Sequence, residues 1–308
     1  MSLLTTDVDR AASALLRGGL VAVPTETVYG LAADASNAAA VARIFEVKGR
    51  PADHPLIVHL ADPADLDEWA TAPSAAARRL AETAWPGAMT IIVRKAAKVA
   101  SVVTGGRDTV GLRVPAHPLA RRLLSLSGVA VAAPSANRFG AVSPTTAAHV
   151  IDDIGHLLDP ARDVVLDGGP CEIGLESTIV DTTTTPPQLL RVGSITVEEV
   201  ETLLDDHVAA ASGPARASGM LPSHYAPRCA VRLVDSPDDA IALAAGTSGA
   251  EILDLTGDLA DFARRLYAEL RSADERGAAV VIAVLPPATG LGVAIRDRLH
   301  KAAAPRPG

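Results

Sequence analysis

Residues 24–59 read PTETVYGLAADASNAAAVARIFEVKGRPADHPLIVH, and this stretch decides how the rest of the chain is read. The apolar run LVAVPT (20–25) enters it as a strand. That strand delivers Thr25, Glu26, Thr27 and Tyr29 at a strand end, where α/β folds place ligands. A helical pattern follows from Asn37 to Lys48: Asn37 is placed to N-cap it, Val41, Ile44 and Phe45 form its apolar stripe, and Gly49 suits the position after its end. Lys48-Gly49-Arg50 then brings two cations back toward the same edge, just before the strand LIVHL (56–60). Hydroxyls, two cations and the histidines His54 and His59 around these elements suit a small anionic ligand.

Outward from this stretch, short apolar runs alternate with helical patterns. MTIIVR (89–94), TVGLRVP (109–115), VAVAAPS (129–135), VVLDGG (164–169), STIVD (177–181) and QLLRVG (188–193) read as further strands. The mixture predicts a twisted mixed sheet layered with helices over 1–205. The pattern fails across 206–228, where ASGPARASGMLPS (211–223) has linker composition. From 229 to 302 a shorter unit follows, with strands at 230–234, 251–255 and 278–285 and helices near 237–245, 258–276 and 289–303. Ala263, Leu266, Tyr267 and Leu270 repeat at helical spacing within it. Three strands joined by crossover helices predict a small Rossmann-like parallel sheet.

Composition narrows the function. With 48% apolar and 21% charged residues the chain can build a real core, and Ala, Val and Leu must pack it because aromatics are only 3%. The formal charge of −8 argues against a basic nucleic-acid face spread over the surface. Cys171 and Cys229 match no zinc or redox spacing and read as buried thiols and not as a disulfide. The N-terminus has no basic signal-peptide region, and no apolar run reaches the ~20 residues that cross a bilayer. A soluble, cytoplasmic protein is expected. Phosphate-loop, H-E-x-x-H, G-x-S-x-G and Cys/His signatures are missing. TGLGVAI (289–295) lacks the third glycine of a dinucleotide fingerprint.

Each candidate residue has a plain reading beside the functional one. Lys48 could simply complement the helix dipole, worth ~0.3–1 kcal/mol. That does not explain Arg50, locked by Pro51 and followed by His54 and His59. Glu26 would be costly to bury unpaired, so it is expected to meet a cation or to lie in a cleft. Arg113, at a strand end before Pro115, is either a surface arginine or a bidentate carboxylate partner. Ser135 and Asn137 in PSAN could make an ordinary Asx turn.

The series PTETVYGL, K-G-R-P-x-x-H-P-L, GLRVP (111–115), PSAN (134–137), SPT (143–145), STIVD (177–181) and SHYAP (223–227) resembles the threonylcarbamoyl-AMP synthases, the YrdC-like family, in its two-domain form. The resemblance covers nearly the whole chain in the family's order. It implies ATP contacts at Lys48, Arg50, His54, Thr109, Asn137, Ser143, Thr145, Arg191 and Tyr225, with Lys48 and Arg50 as the catalytic pair that grips the phosphates. It implies L-threonine contacts at Thr27, His59, Arg113, Ser135 and Ser177. The sequence departs from the family at three places: His54 where Asn is commoner, Val192 in place of Pro after Arg191, and Ser218-Gly219-Met220 without the linker proline.

The implied reaction joins L-threonine, bicarbonate or CO2 and ATP, with Mg2+, into threonylcarbamoyl-AMP and pyrophosphate. A separate transferase system would pass the product to tRNA, so tight tRNA binding by this chain is not expected. The linker carrying Tyr225 would form a lid. An RNA-binding module without turnover is the main alternative, predicting salt-sensitive RNA affinity. A carbamoyltransferase of hydrogenase maturation would need acylphosphatase and zinc-finger regions that the chain does not show. A binder of threonine or nucleotide without turnover is the third.

Overall fold

A computed structural model describes residues 2–213 and 224–305. Of the linker reading over 206–228, residues 214–223, including Ser218-Gly219-Met220, lie outside these described residues. In chain order the strands begin with β1 Leu4–Thr5, β2 Val21–Val23, β3 Gly30–Asp34, β4 Ile57–His59, β5 Met89–Arg94 and β6 Thr109–Arg113. They continue with β7 Val131–Ala132, β8 Val164–Leu166, β9 Thr178–Asp181, β10 Gln188–Arg191 and β11 Ala209–Ala210. These form one mixed sheet in the order β1-β8-β2-β3-β7-β4-β6-β5-β9-β10-β11. β12 Ala230–Val234, β13 Ala250–Leu253 and β14 Val280–Val284 form a second sheet, in the order β12-β14-β13. Both of its pairings are parallel. The helices Pro237–Ala245, Leu259–Glu275 and Leu291–Ala303 accompany it. A mixed α/β sheet plus a small parallel αβ unit is the expected fold class.

The helix that opened the reading spans Ala38–Lys48, with the Asn37 side chain accepting from the Ala40 amide and Gly49 left-handed at φ 61°. β3, sequence GLAAD, carries no β-branched residue and was not among the expected strands. It is a strand because it is enclosed between β2 and β7 and fully buried over its first four residues, so context overrides propensity. β7 is shorter than the run 129–135, since the chain leaves the ladder after Ala132 and turns through Pro134 and Ser135.

Alternation along β4 and β6 positions the site. The two strands are parallel, with Ile57 beside Gly111, Val58 beside Leu112 and His59 beside Arg113. Val58 and Leu112 enter the main core with Ile44, Phe45 and Leu80. Successive side chains point to opposite faces, so Ile57, His59 and Arg113 share the other face. The ligand groups on these two strands thus share one face of the sheet, and both His59 and Arg113 are the last residues of their strands.

A second core surrounds helix Leu259–Glu275, where Phe262, Ala263, Leu266, Tyr267 and Leu270 are buried against Ile295 and Leu299. It runs on into Val28, Val142, Leu175 and Tyr225, so the smaller unit packs against the pocket side of the larger one. Cys171 and Cys229 are free thiols; Cys171 is buried as expected, whereas Cys229, next to the exposed start of β12, is only half-buried.

Close packing next to the site makes Gly193 irreplaceable. A Cβ there would lie 2.4 Å from the Glu176 carbonyl oxygen and 2.5 Å from the Thr178 nitrogen, both backbone atoms. Gly193→Ala is expected to cost roughly 2–3 kcal/mol or more, the scale of overpacking. A urea midpoint equal to that of the natural chain would contradict this packing.

Candidate active site

One pocket collects groups from eight parts of the chain, Arg50 after the helix Ala38–Lys48 among them. Thr25, Thr27 and Val28 come from the turn between β2 and β3, Ile57 and His59 from β4, and Arg113 from the end of β6. Pro134 and Ser135 follow β7, Glu176 and Ser177 precede β9, Arg191 ends β10, and His224 and Tyr225 close the wall.

Arg113 organises one end. Its Nη1 donates to Thr27 Oγ1 at 2.9 Å, its Nη2 to Glu26 Oε1 at 2.5 Å, and its Nε to the Gly87 carbonyl at 3.1 Å. Three of the five guanidinium protons are used, leaving two for a ligand. Glu26 Oε2 also accepts from the Ala116 amide at 3.0 Å. Burial pushes the Glu26 carboxyl up, but the charge and hydrogen bond of Arg113 outweigh it and hold the group below its ordinary value. Glu26 therefore meets the cation that its burial requires. Thr25 Oγ1 donates to the Val28 carbonyl at 2.6 Å and lies 2.8 Å from Thr27 Oγ1, which shapes the turn.

His59, beside Arg113, is pushed down to about 3 by burial and then by the Arg113 charge, so it is a neutral imidazole at neutral pH. Its Nδ1 is buried without a hydrogen-bond partner among the described residues. A buried orphan of this kind is a polar contact awaiting a ligand or water. Ser177 Oγ lies 2.7 Å from Thr90 Oγ1 and accepts from Arg191 Nη2 at 3.0 Å.

Cations line the other end. Arg50 donates from Nη2 to the Pro55 carbonyl at 3.0 Å and sets its guanidinium 5.5 Å from the Phe139 ring centroid. Burial lowers it to about 10, which leaves it charged at neutral pH. Arg191 Nε donates to the Ser177 carbonyl at 2.9 Å. Two guanidinium groups in a largely dry wall suit phosphate oxygens, which accept bidentate hydrogen bonds.

Arg50, Arg191, Tyr225, Thr27, His59, Arg113, Ser135 and Ser177 are thus brought together in the lining. The other expected residues stand outside it. Lys48 lies behind the PSAN turn, its Nζ donating to the Ser135 carbonyl at 2.6 Å, the Asn137 carbonyl at 2.5 Å and Asn137 Oδ1 at 3.3 Å. Burial, then the Arg50 charge, pulls its pKa well down, while three oxygen acceptors call for all three ammonium protons. Asn137 Nδ2 donates one of its two protons to the Ala141 carbonyl at 2.7 Å. Ser143 Oγ donates to Glu176 Oε1 at 2.6 Å, and the Thr145 amide donates to His149 Nδ1 at 3.2 Å. His54 packs edge-on against Phe139, at 5.3 Å between centroids. Thr109 starts β6 four residues before Arg113, about 13 Å away at strand rise.

Two pocket residues escaped the sequence reading. Glu176 precedes Ser177 in GLESTIVD, and the available signal was an acid placed directly against a predicted strand start. His224 sits beside Tyr225 in SHYAP; burial lowers it to about 3 against the upward pull of Glu176, with the charges of Lys48, Arg50 and Arg191 adding to the fall. Tyr225 itself is buried, with φ 62° and its hydroxyl unpartnered among the described residues.

Comparison with known proteins agrees with this geometry. Residues 13–193 match the Sua5/YciO/YrdC family profile, described as "Telomere recombination", and residues 195–304 match the profile "Threonylcarbamoyl-AMP synthase, C-terminal domain". A threonylcarbamoyl-AMP synthase of Pyrococcus abyssi is 40% identical over 95% of this chain and 92% of its own. That of Bacillus subtilis is 38% identical over 97% of this chain and 93% of its own. The crystal structure of P. abyssi Sua5 complexed with L-threonine superposes with a TM-score of 0.88 at 39% identity, covering 96% of this chain and 94% of that one. With both profiles matched in order and relatives alike over nearly their full length, the chain belongs to the Sua5/YrdC family of threonylcarbamoyl-AMP synthases.

Proposed function

We propose that this chain forms threonylcarbamoyl-AMP from L-threonine, bicarbonate or CO2 and ATP, releasing pyrophosphate. The observation that carries this reading is a single pocket with two kinds of end. Arg113, Thr27 and His59 suit an amino acid, while Arg50 and Arg191 suit a polyphosphate. The relatives support the same pairing, since P. abyssi Sua5 is known in complex with L-threonine and the P. abyssi relative is a threonylcarbamoyl-AMP synthase.

In the proposed reaction the threonine amine adds to CO2 and loses a proton, giving a carbamate. A carbamate oxygen then bonds to the α-phosphorus as the α–β bridging P–O bond breaks, and pyrophosphate leaves. Such a transfer depends on in-line placement and charge neutralisation, so no side-chain nucleophile is needed. Arg113 holds the threonine carboxylate, Thr27 and the neutral His59 are placed for its hydroxyl and amine, and Ser135 and Ser177 complete that end. Arg50 and Arg191 offset the phosphate charge in a site with little water, where fixed donors act strongly. Lys48 acts one step back, holding the carbonyls of Ser135 and Asn137 so that the turn faces the pocket. Carbamates decompose in water, which gives Tyr225 and His224 a reason to cover the site.

ATP enters this scheme as its Mg2+ complex. Magnesium commonly keeps phosphate oxygens and waters as most of its ligands. The described residues include no group of three or more acidic, His or Cys side chains that could hold a metal ion. The adenylate would then pass to a transferase that modifies adenosine in tRNA. No helix among the described residues is long and apolar enough to cross a membrane, and we place the reaction in the cytoplasm.

Incubation with ATP, Mg2+, bicarbonate and L-threonine should release pyrophosphate and yield the adenylate by mass spectrometry. Salt-sensitive RNA binding with no threonine-dependent adenylate would replace the synthase reading with the RNA-binding one. Arg113→Ala should raise the threonine KM about 10- to 100-fold, the value of losing charged hydrogen bonds; an unchanged KM would remove Arg113 from the threonine site. Lys48→Ala leaves two carbonyls without their donor and should lower both ATP use and stability, the latter by about 1–3 kcal/mol. Normal turnover with normal stability would make Lys48 a mere helix-end cation.

Acidity provides a separate check. His59 and His224 are held at about 3 and His149 at about 4, all below the ordinary 6.5. A histidine buried neutral binds its proton more readily once unfolded, so stability falls as pH drops from about 6.5 toward the folded value. Glu26 and Glu176, both held below 4.5, add their loss only further down. Unfolding free energy should therefore fall between pH 7 and 5, by up to ~1.4 kcal/mol per pH unit for each histidine. His59→Gln should flatten the slope, and an identical slope would show that His59 is not held neutral.

A further inference from the structure

Glu176 stands in the pocket wall, yet its carboxylate is taken up from behind. Oε1 accepts from Ser143 Oγ at 2.6 Å and from Tyr267 OH at 3.0 Å. Oε2 accepts from Tyr267 OH at 2.8 Å and from Arg298 Nε at 2.9 Å. With its oxygens so engaged, Glu176 is an anchor and not a free base. Tyr267 and Arg298 sit on the helices Leu259–Glu275 and Leu291–Ala303 of the smaller unit, and both are wholly buried. Both also reach Tyr225. The Arg298 guanidinium lies 5.4 Å from its ring centroid, and the Tyr267 ring lies 5.5 Å from it.

Burying an arginine at 0% exposure is expensive even when it is paired, and a well-packed apolar residue would often serve stability as well. Its presence here coincides with contact to two pocket residues at once, Glu176 and Tyr225. The Glu176 charge also faces Arg191, which bonds both the carbonyl and the hydroxyl of Ser177. Displacing that charge would leave Arg191 and Arg298 confronting each other.

We propose that Tyr267 and Arg298 are positioning residues for the ATP end of the pocket: through Glu176 they fix Ser143 and Arg191, and through the Tyr225 ring they seat the cover. The smaller unit is then part of the substrate site and not an appendage. This inference rests on the synthase reading above.

The full chain tests it, with Tyr267→Phe, Arg298→Lys, Arg298→Met and Glu176→Gln assayed by pyrophosphate release. Tyr267→Phe keeps the ring and removes only the donor. It should raise the KM for ATP roughly five- to tenfold, as expected for one hydrogen bond to a charged group, with kcat within about twofold and a smaller change for threonine. Arg298→Met should do more, and Arg298→Lys should recover part of the loss.

Glu176 is held at about 2, with burial raising it and Arg298 and then Arg191 lowering it. Tyr225, Tyr267 and His224 also face it, and of these groups only Arg298 is removed in Arg298→Met. The carboxyl should then rise, and the acid limb of kcat/KM for ATP should move upward in pH. A purely structural role would shrink the active fraction, lowering kcat with KM and pH profile unmoved, and that result would overturn the inference. Should Arg298→Met not fold, Tyr267→Phe and Arg298→Lys decide alone, and an unchanged ATP KM in both overturns it. Failure of the natural chain to make the adenylate would instead sink the synthase reading.

Discussion

Charge kept away from water is the constraint on which this architecture turns. Arg50, Arg113, Arg191 and Arg298 are all at most 7% exposed, and burying an ion costs several kcal/mol unless partners compensate. Two carboxylates supply much of the compensation. Glu26 binds Arg113 and a backbone amide, while Glu176 binds Arg298 and faces Arg191. Neither acid needs to touch a substrate to matter. Each pairs with a guanidinium and fixes its position, Arg113 in the pocket wall and Arg298 behind it.

The same constraint explains why the smaller unit packs where it does. Its helices bring Tyr267 and Arg298 to the far side of Glu176, and its apolar core is continuous with Val28 and Val142. Arg271 adds a further tie, pairing with Asp153 at 2.7 Å across the two units. Packing and polar contacts therefore coincide at one seam, beside the pocket.

Legibility from sequence followed the physics of each element. The helix ending at Lys48 was readable because its cap, stripe and left-handed glycine are local signals. β5 and β12 were readable for their runs of branched side chains. GLAAD was not, since its strand identity comes from two neighbours that lie distant in the chain or across a turn. Within the site, the motif series pointed to Arg50, Arg113, Ser177, Arg191 and Tyr225, which the fold gathers in one lining. It could not separate residues in that lining from those behind it, because Lys48 and Arg50 differ only in which side of a turn they face. Glu176 went unread because its partners Tyr267 and Arg298 lie some ninety and more residues downstream.

The pairing of His59 with Arg113 across neighbouring parallel strands sets a length scale for recognition. Adjacent strands lie about 4.8 Å apart, and successive residues on one face are about 6.6 Å apart along a strand. Groups mounted on β4 and β6 can therefore be relocated only in those discrete steps, as on a ruler with fixed graduations. The turn through Thr25 and Thr27 and the Pro134–Ser135 corner obey no such grid. Fine adjustment of the pocket's shape is left to them, while the sheet holds the coarse spacing constant.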